Sequence, residues 1–465
     1  LLSMFLVCLD QTVVATALPQ IVSVFDALDL ATWVSAGYFL TMAGLMLVAG
    51  QLLDAFPIKT VFLVCIVLFD IGSVICGAAP SMNVLIFGRV VAGCGAAGWF
   101  TRPEQRPMLL AAFGAFVAAS SIVGPIIGGA FTDHVSWRWC FYINLPVYSM
   151  GGFPVILQCT LAHPRLFFLC DSTLDWIGSV LCLGFWTCLI LALTWGGGVK
   201  PWNSGAVIAP LCIAAVVLIL FVPWEAYKKN LALVPPRIFY RRTQIAACFA
   251  GFLILSALIV STYYLPLWYQ INAKTSTQSG IRILPLMLSY VVAAGISAGI
   301  TTKTGRFWHF MIGFPLLSAA GSALLFTVTS TTSAARLMGY QILLGRYTGG
   351  SYQCTYIAIQ AEWAESPEDT TKASAILTFI ANFGEFIALS IAGSIFNNHL
   401  GTDLSHVPGL APEIVAVLKE SVSAISSIPE PLQSEVRDAA TRALRPVFMI
   451  GVVSSALGSI CALYA

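Results

Sequence analysis

Charged residues are scarce in this 465-residue sequence. Asp, Glu, Lys and Arg make up 9% of the chain, whereas a soluble domain carries about 25%. The formal net charge is only +2, so no basic surface suggests a nucleic acid partner. Hydrophobic residues reach 58% and the mean hydropathy is +0.87. This balance excludes an ordinary soluble domain and indicates a membrane protein.

Patterns for metal binding, disulfides and catalysis are also missing. The 13 cysteines include no CxxC pair and mostly occur singly in apolar runs, and the five histidines show no ligand spacing. We interpret these cysteines as small packing residues rather than a disulfide framework. No nucleophile–base pair or phosphate-binding loop occurs. We therefore expect no metal, no cofactor and no enzymatic activity.

Apolar runs of bilayer-spanning length recur along the whole chain, and they predict an all-α polytopic membrane protein. We count fourteen candidate spans, at residues 1–20, 31–52, 60–79, 83–101, 108–130, 140–161, 174–196, 205–223, 243–265, 281–301, 309–329, 336–359, 372–396 and 446–464. The first span opens at Leu1, so we expect an N-terminal tail to be missing from this sequence.

The order of the spans predicts two halves with an insert. We expect an N-terminal six-helix bundle at residues 1–161, a two-helix insert and cytoplasmic linker at 162–242, and a C-terminal six-helix bundle at 243–465. The last of these includes a long polar outer loop at 397–445, with two short helix-like patches around Glu413–Ser427 and Leu432–Leu444. A weak internal repeat supports duplication, because Leu85–Arg89 resembles Ile342–Arg346 and each stretch opens the fourth span of its half. Repeated halves are typical of secondary transporters.

The distribution of Lys and Arg predicts the orientation. The short loops on one side carry twelve of the 23 basic residues, and those on the other side carry five. Because short cytoplasmic loops are enriched in Lys and Arg, we expect both termini to be cytoplasmic and residues 397–445 to lie outside.

Five charged residues fall inside predicted spans: Asp10, Asp70, Arg89, Arg346 and Glu385. A charge at the bilayer centre costs about 2.5–3.5 kcal/mol on insertion scales, so each one needs a reason. Asp10 and Arg89 form either a proton-exchanging site or a fixed ion pair that only orients helices. Asp70 has Ser73 three residues later as a hydrogen-bond partner. Glu385 is a candidate for contact with a substrate or a proton.

Several uncharged polar and aromatic residues also fall inside spans. Gln353 lies on a polar helix face with Gln360, so we treat it as a candidate substrate contact. Tyr38, Tyr263 and Tyr352 either line a substrate path or belong to the aromatic belts at the membrane surfaces.

Residues 121–146 combine a proline and closely spaced glycines inside an apolar run. Gly124 and Gly128 lie four residues apart, on one helix face, and flank Pro125. A bilayer tolerates such a proline, and a face of small residues lets a second backbone approach closely. The spacing is equally compatible with a tight packing site and with a hinge.

Four stretches together resemble one family. Leu9–Pro19 resembles the first-helix signature of the fourteen-span drug:proton antiporters of the major facilitator superfamily, and Leu85–Gly95 is similar to that superfamily's fourth-helix motif. Residues 124–129 (Gly124, Pro125, Gly128 and Gly129 among them) resemble the fifth-helix antiporter motif. Trp137–Pro146 is similar to fungal members that export toxins and other secondary metabolites.

The resemblance implies a major facilitator fold of two six-helix bundles plus two extra central helices. It also implies proton-coupled efflux by alternating access, with Asp10 and Arg89 handling the proton and residues 124–129 acting as the hinge. The implied partners are a small amphipathic substrate, protons and the lipid bilayer. The resemblance further implies that the protein is a monomer in the plasma membrane, with the vacuolar membrane as the alternative location.

Two departures from the family pattern keep other functions open. The gating loop retains Gly50, Asp54 and Lys59 but lacks the family's arginines, and residues 98–107 look shortened. Lys59 is a point charge and lacks the bidentate fork of an arginine. The alternatives are proton-coupled uptake or exchange of a nutrient or siderophore, and a defective paralogue that transports nothing.

Overall fold

A computed structural model gives the fold of the chain. It describes residues 2–27, 30–56, 58–97, 119–120, 123–146, 175–196, 200–229, 232–272, 275–408 and 428–462, together with residues 410, 414, 415, 418 and 425. The shortened segment 98–107 and most of the predicted fifth and sixth spans therefore lie outside the described residues.

The described ranges are helical between their turns. The longer helices are α1 (Leu2–Phe25), α2 (Ala31–Ala55), α3 (Ile58–Ala78), α4 (Met82–Ala96), α5 (residues 123–134), α6 (Trp176–Trp195), α7 (Gly205–Lys228), α8 (Arg242–Ile271), α9 (Leu284–Thr304), α10 (Trp308–Phe326), α11 (Ala334–Glu362), α12 (Pro367–Ser405) and α13 (Glu430–Ala462). Short helices occur at Trp139–Tyr142 and Ser276–Arg282.

Eight helical segments in the described ranges are long and apolar enough to cross a membrane. They correspond to α3, α6, α7, α8, α9, α10, α12 and α13, while α1, α2 and α4 contain shorter apolar stretches. Four of the eight contain an internal proline, which a helix in water tolerates poorly and a membrane helix accepts. The predicted all-helical, multi-pass architecture is confirmed.

The predicted polar loop at residues 397–445 is wrong in its extent. Helix α12 continues to Ser405, and α13 begins at Glu430 and runs without interruption past Pro446. The reason is visible in α13, where Val436, Ala439 and Ala443 are all buried. This spacing forms one apolar helix face, so the helix is stabilised by packing although its other face is polar.

Glycines bring helices α3 and α4 into close contact in the first half. A methyl group on Gly88 would stand 2.7 Å from Cys76 Sγ and 2.9 Å from the Cys76 nitrogen. One on Gly95 would collide with the Phe69 and Cys65 backbone. Backbone approach of this kind requires small residues, and it fixes the rotation of α4 that turns Arg89 inward.

The second half repeats this packing between α9 and α11. A methyl group on Gly345 would stand 2.9 Å from Ser289 Cβ, so Gly345 holds α11 against α9 as Gly88 holds α4 against α3. The neighbouring arginines differ, because Arg89 is buried whereas Arg346 is exposed. The internal repeat therefore includes the helix contact made by the glycine, but it does not include the burial of the arginine.

The insert helix α6 connects the two halves. The Trp186 ring lies 4.8 Å from the Phe383 ring and 5.4 Å from the Phe379 ring, both on α12. On the same face of α6, Leu183 packs against Gly44 of α2. Helix α7 covers α6 from outside and exposes large apolar side chains such as Ile219 (70% exposed). The insert helix α6 therefore packs against both α2 and α12, which also contact each other.

Candidate functional site: a buried ion pair beside the seam between the halves

Asp10 and Arg89 form an ion pair in the interior of the first half. Arg89 Nη1 donates a hydrogen bond to Asp10 Oδ2 over 2.5 Å, and the side chains are 2% and 1% exposed. Arg89 Nε donates to the Val34 carbonyl at 3.2 Å, and the guanidinium lies over the Tyr38 ring, 4.2 Å from its centroid. Helices α1, α2 and α4 therefore meet at one guanidinium.

Asn144 completes the surroundings of the carboxylate. Its amide Nδ2 lies 3.4 Å from Asp10 Oδ1 and 3.3 Å from Ser73 Oγ. Asn144 and Ser73 are buried. Both oxygens of Asp10 thus face hydrogen-bond donors, and α3 joins the site through Ser73.

This arrangement suits a carboxylate whose charge controls helix contacts. A buried charge needs a partner, and removing one member of a buried pair costs about 3–5 kcal/mol because the other charge is left uncompensated. A proton added to Asp10 would remove that charge and weaken its hold on Arg89. Since Arg89 also holds α2 through Val34, protonation would change the contacts among three helices at once.

The predicted hinge glycines pack against α1. A Cβ atom on Gly124 would collide with Thr12 Oγ1 and stand 2.7 Å from Thr12 Cβ. One on Gly128 would collide with Thr16 Oγ1 and stand 2.7 Å from the Val13 carbonyl oxygen. Helix α5 therefore lies against the helix that carries Asp10, with no room for a side chain between the two backbones.

The same helix also contacts the second half. Gly280, on the short helix Ser276–Arg282, packs onto the backbone of Pro125: a Cβ on Gly280 would stand 2.6 Å from the Pro125 oxygen. At the end of α5, the Asp133 carboxylate accepts hydrogen bonds from the Thr277 hydroxyl at 2.6 Å and the Thr277 amide at 3.3 Å. Helix α5 therefore lies at the seam between the halves. Gly129, the remaining residue of the predicted hinge, is buried.

The other predicted site residues lie away from the ion pair. The predicted gating loop falls on helical backbone, with Gly50 and Asp54 at the end of α2 and Lys59 at the start of α3. The side chains of Asp54 and Lys59 lie outside the described part of the structure. Gln353 on α11 and Glu385 on α12 are partly accessible, and neither has a hydrogen-bond partner among the described residues.

Sequence reasoning missed Asn144 as a residue of the site, and it left Tyr38 undecided between a substrate path and an aromatic belt. The available signal for Asn144 was its position, because it is an amide in an apolar stretch shortly after the start of a predicted span. Tyr38 is completely buried beneath Arg89, so it does not belong to an aromatic belt. The proposed bond between Asp70 and Ser73 is not formed. Ser73 accepts from Asn144, whereas Asp70 is partly buried beside the exposed Val67, Ile71 and Val74, and its Oδ1 has no hydrogen-bond partner among the described residues.

Relatives with curated names identify the family. A family profile described as Major Facilitator Superfamily matches residues 1–165. The MFS-type efflux pump MFS1 of Arthroderma benhamiae is 38% identical over 434 residues, covering 89% of this chain and 80% of the relative. The chain belongs to the major facilitator superfamily. The efflux pump bfoC of Aspergillus brasiliensis is 36% identical over 428 residues, covering 88% of this chain and 76% of that relative.

Solved structures agree with the fold of this major facilitator protein. A bacterial homologue of the human lysosomal transporter Spinster, in an inward-facing and unoccupied conformation, has a TM-score of 0.65 at 14% identity, covering 100% of this chain and 95% of that chain. The POT family transporter PepTSo has a TM-score of 0.60 at 12% identity, covering 99% and 96%. These distant structures show the fold alone, whereas the relatives named efflux pumps show a multi-pass membrane transporter of the efflux type rather than an enzyme.

Proposed function

We propose that this transporter exports small amphipathic molecules, such as drugs, toxins or secondary metabolites, in exchange for protons. The observation that carries the proposal is the Asp10–Arg89 ion pair, buried where α1, α2 and α4 meet. A charge pair in the membrane interior costs free energy. Taking up or releasing a proton at the carboxylate changes that free energy, so it can shift the balance between two conformations of a transporter. The curated relatives named efflux pumps support the direction.

Proton exchange at Asp10 would drive the change between the two access states. In the unprotonated state, Arg89 holds Asp10 and the α2 backbone together. A proton that enters from outside neutralises Asp10, loosens Arg89 and favours return to the inward-open state. There the proton is released to the inside, in competition with substrate binding. Substrate bound between the halves then leaves by the outer route as α5 repacks along its glycine face.

The remaining assignments follow the same scheme. Gly124, Pro125, Gly128 and Gly129 form the hinge, and Gly50, Asp54 and Lys59 form the gating loop. The protein lies in the plasma membrane with both termini cytoplasmic, in keeping with the distribution of Lys and Arg. It works as a monomer, as the resemblance to the fourteen-span antiporters implies.

Replacement of Asp10 tests the proposal. We expect Asp10→Asn in proteoliposomes to abolish efflux driven by a pH gradient, since the amide takes up no proton, while the protein still folds. Asp70→Asn is a matched control: it removes a partly buried carboxylate from the same half, one that lies beside the exposed Val67, Ile71 and Val74 and forms no ion pair among the described residues. This control should transport at the rate of the unmodified protein.

Three outcomes would contradict the proposal. Undiminished proton-driven transport by Asp10→Asn would exclude Asp10 as the proton site. Accumulation of solute under an inward proton gradient would indicate uptake. Absence of both transport and counterflow in the unmodified protein, across a panel of amphipathic solutes, would favour a defective paralogue.

A further inference from the structure

One face of helix α12 is polar in the interior of the second half. Thr378, Asn382 and Glu385 are spaced four and three residues apart, so they lie on one side of the helix. On one flank of this face, Phe379 and Phe383 pack against the insert. On the other flank, Ala381 and Gly384 pack against α8. The exposed Ile391 marks the far side of α12, so the polar face is turned inward, away from lipid.

A chain of hydroxyl groups continues this face onto α11. The Tyr356 hydroxyl lies 2.6 Å from Thr378 Oγ1 and 3.3 Å from the Tyr352 hydroxyl. Tyr263, Tyr290 and Tyr352 lie near enough to the Glu385 carboxylate for its charge to act on their hydroxyl groups. Aromatic walls with a few placed polar groups are the usual composition of a small-molecule site.

Two groups on the polar face lack partners in the described part of the chain. Asn382 is 8% exposed and its amide Nδ2 makes no hydrogen bond. Glu385 makes no hydrogen bond or ion pair with any described residue, and its side chain is partly accessible. An unsatisfied buried donor and an unpaired carboxylate are both costly, and a ligand that supplies an acceptor and a donor removes both costs together.

We propose that Asn382 and Glu385 form a substrate subsite that selects amphipathic molecules carrying both a protonated amine and a hydrogen-bond acceptor on a flexible chain. Glu385 pairs with the ammonium group, Asn382 Nδ2 donates to the acceptor, and the tyrosines of α8, α9 and α11 contact the apolar body. The subsite rests on the proposed function only in requiring that a small molecule enters between the halves.

Equilibrium binding to the purified full chain in nanodiscs tests the subsite. The probes are dansylcadaverine, its N-acetyl derivative and dansyl-6-aminohexanoic acid, which share a fluorophore and acceptor but end in an amine, an amide or a carboxylate. A charge-assisted hydrogen bond is worth about 1.5–3 kcal/mol, so the amine should bind at least about tenfold tighter than the carboxylate. Glu385→Gln should weaken amine binding about tenfold and leave the N-acetyl probe unchanged.

Two further variants complete the test. Asn382→Leu removes the donor and should weaken all three probes by a similar factor, because all share the acceptor. Glu435→Gln, an exposed carboxylate on α13, is the matched control and should bind all three as the unmodified protein does. Equal affinities for the three probes, absence of binding, or an unchanged amine preference in Glu385→Gln would each overturn the subsite.

The same experiment separates this proposal from the proposed function. Binding is measured without a pH gradient, so an amine preference that persists in Asp10→Asn supports the subsite even if proton-driven export fails. If Glu385 were instead a second proton carrier, Glu385→Gln would keep the amine preference and change only the proton release on binding. That result would contradict the subsite while leaving proton-coupled export in place.

Discussion

The Tyr263 hydroxyl on α8 lies 3.3 Å from the Ser35 hydroxyl on α2, so a hydrogen bond joins the two halves. Ser35 directly follows Val34, whose carbonyl accepts from Arg89. Tyr263 lies near enough to Arg89 and Glu385 for both charges to act on its hydroxyl group. The contact therefore places one side chain between the ion pair of the first half and the polar face of the second.

Removing this hydroxyl should weaken coupling between proton and substrate. We expect Tyr263→Phe to lower proton-driven efflux by about threefold to tenfold, the equivalent of one hydrogen bond, with substrate affinity at equilibrium nearly unchanged. Efflux and binding measured on the same preparation check this. Tyr264→Phe is the control, because the Tyr264 hydroxyl has no hydrogen bond within the described residues; equal loss in both variants would contradict the role of Tyr263.

Because α5 lies so close to α1, even the methyl group of an alanine at position 124 should destabilise the protein. Gly124→Ala places a methyl group against Thr12, and overpacking of this kind costs about 1–3 kcal/mol. We expect a lower unfolding temperature and slower transport. Gly295→Ala on α9 is the matched control, since nothing lies within 4 Å of a Cβ there.

A second substitution shows whether the collision itself is responsible. Thr12→Gly removes both atoms that the new methyl group meets, so the double variant Gly124→Ala with Thr12→Gly should recover part of the lost unfolding temperature relative to Gly124→Ala alone. If Gly124→Ala is tolerated as well as Gly295→Ala, the two helices are not in close contact.

The contact between Asp133 and Thr277 predicts local protection at the seam. Asp133→Ala removes the acceptor of two hydrogen bonds, so amide exchange in residues 276–282 should accelerate by about threefold to tenfold. Hydrogen exchange read by mass spectrometry measures this. Thr304→Val, which removes only local hydrogen bonds with Ile300 and Arg306, should leave the exchange of 276–282 unchanged. Unaltered exchange in Asp133→Ala would show that the contact does not hold the halves together.

Local sequence carries much of the architecture. Apolar runs of spanning length predicted the helices, because a chain in lipid must satisfy its backbone hydrogen bonds within each segment. The same reasoning failed for the first half of α13, where polar residues suggested that the outer loop continued to residue 445. A helix with one buried face does not need to be apolar all round, and the periodic alanines around Ala439 carried that information.

The candidate site was only partly predictable. The sequence alone marked Asp10, Arg89 and Glu385, because a charge within an apolar span is costly wherever it points. It also marked Gly124 and Gly128 as a face for close approach.

Only the tertiary structure decided which of these groups meet. It pairs Asp10 with Arg89, adds Asn144 and Tyr38 to them, exposes Arg346, and leaves Asp70 beside exposed apolar side chains. The physical reason is that helix rotation and neighbour choice depend on packing between distant segments. The composition of a span sets its depth in the membrane, whereas contacts such as that of Gly88 with Cys76 set the direction in which its charge points.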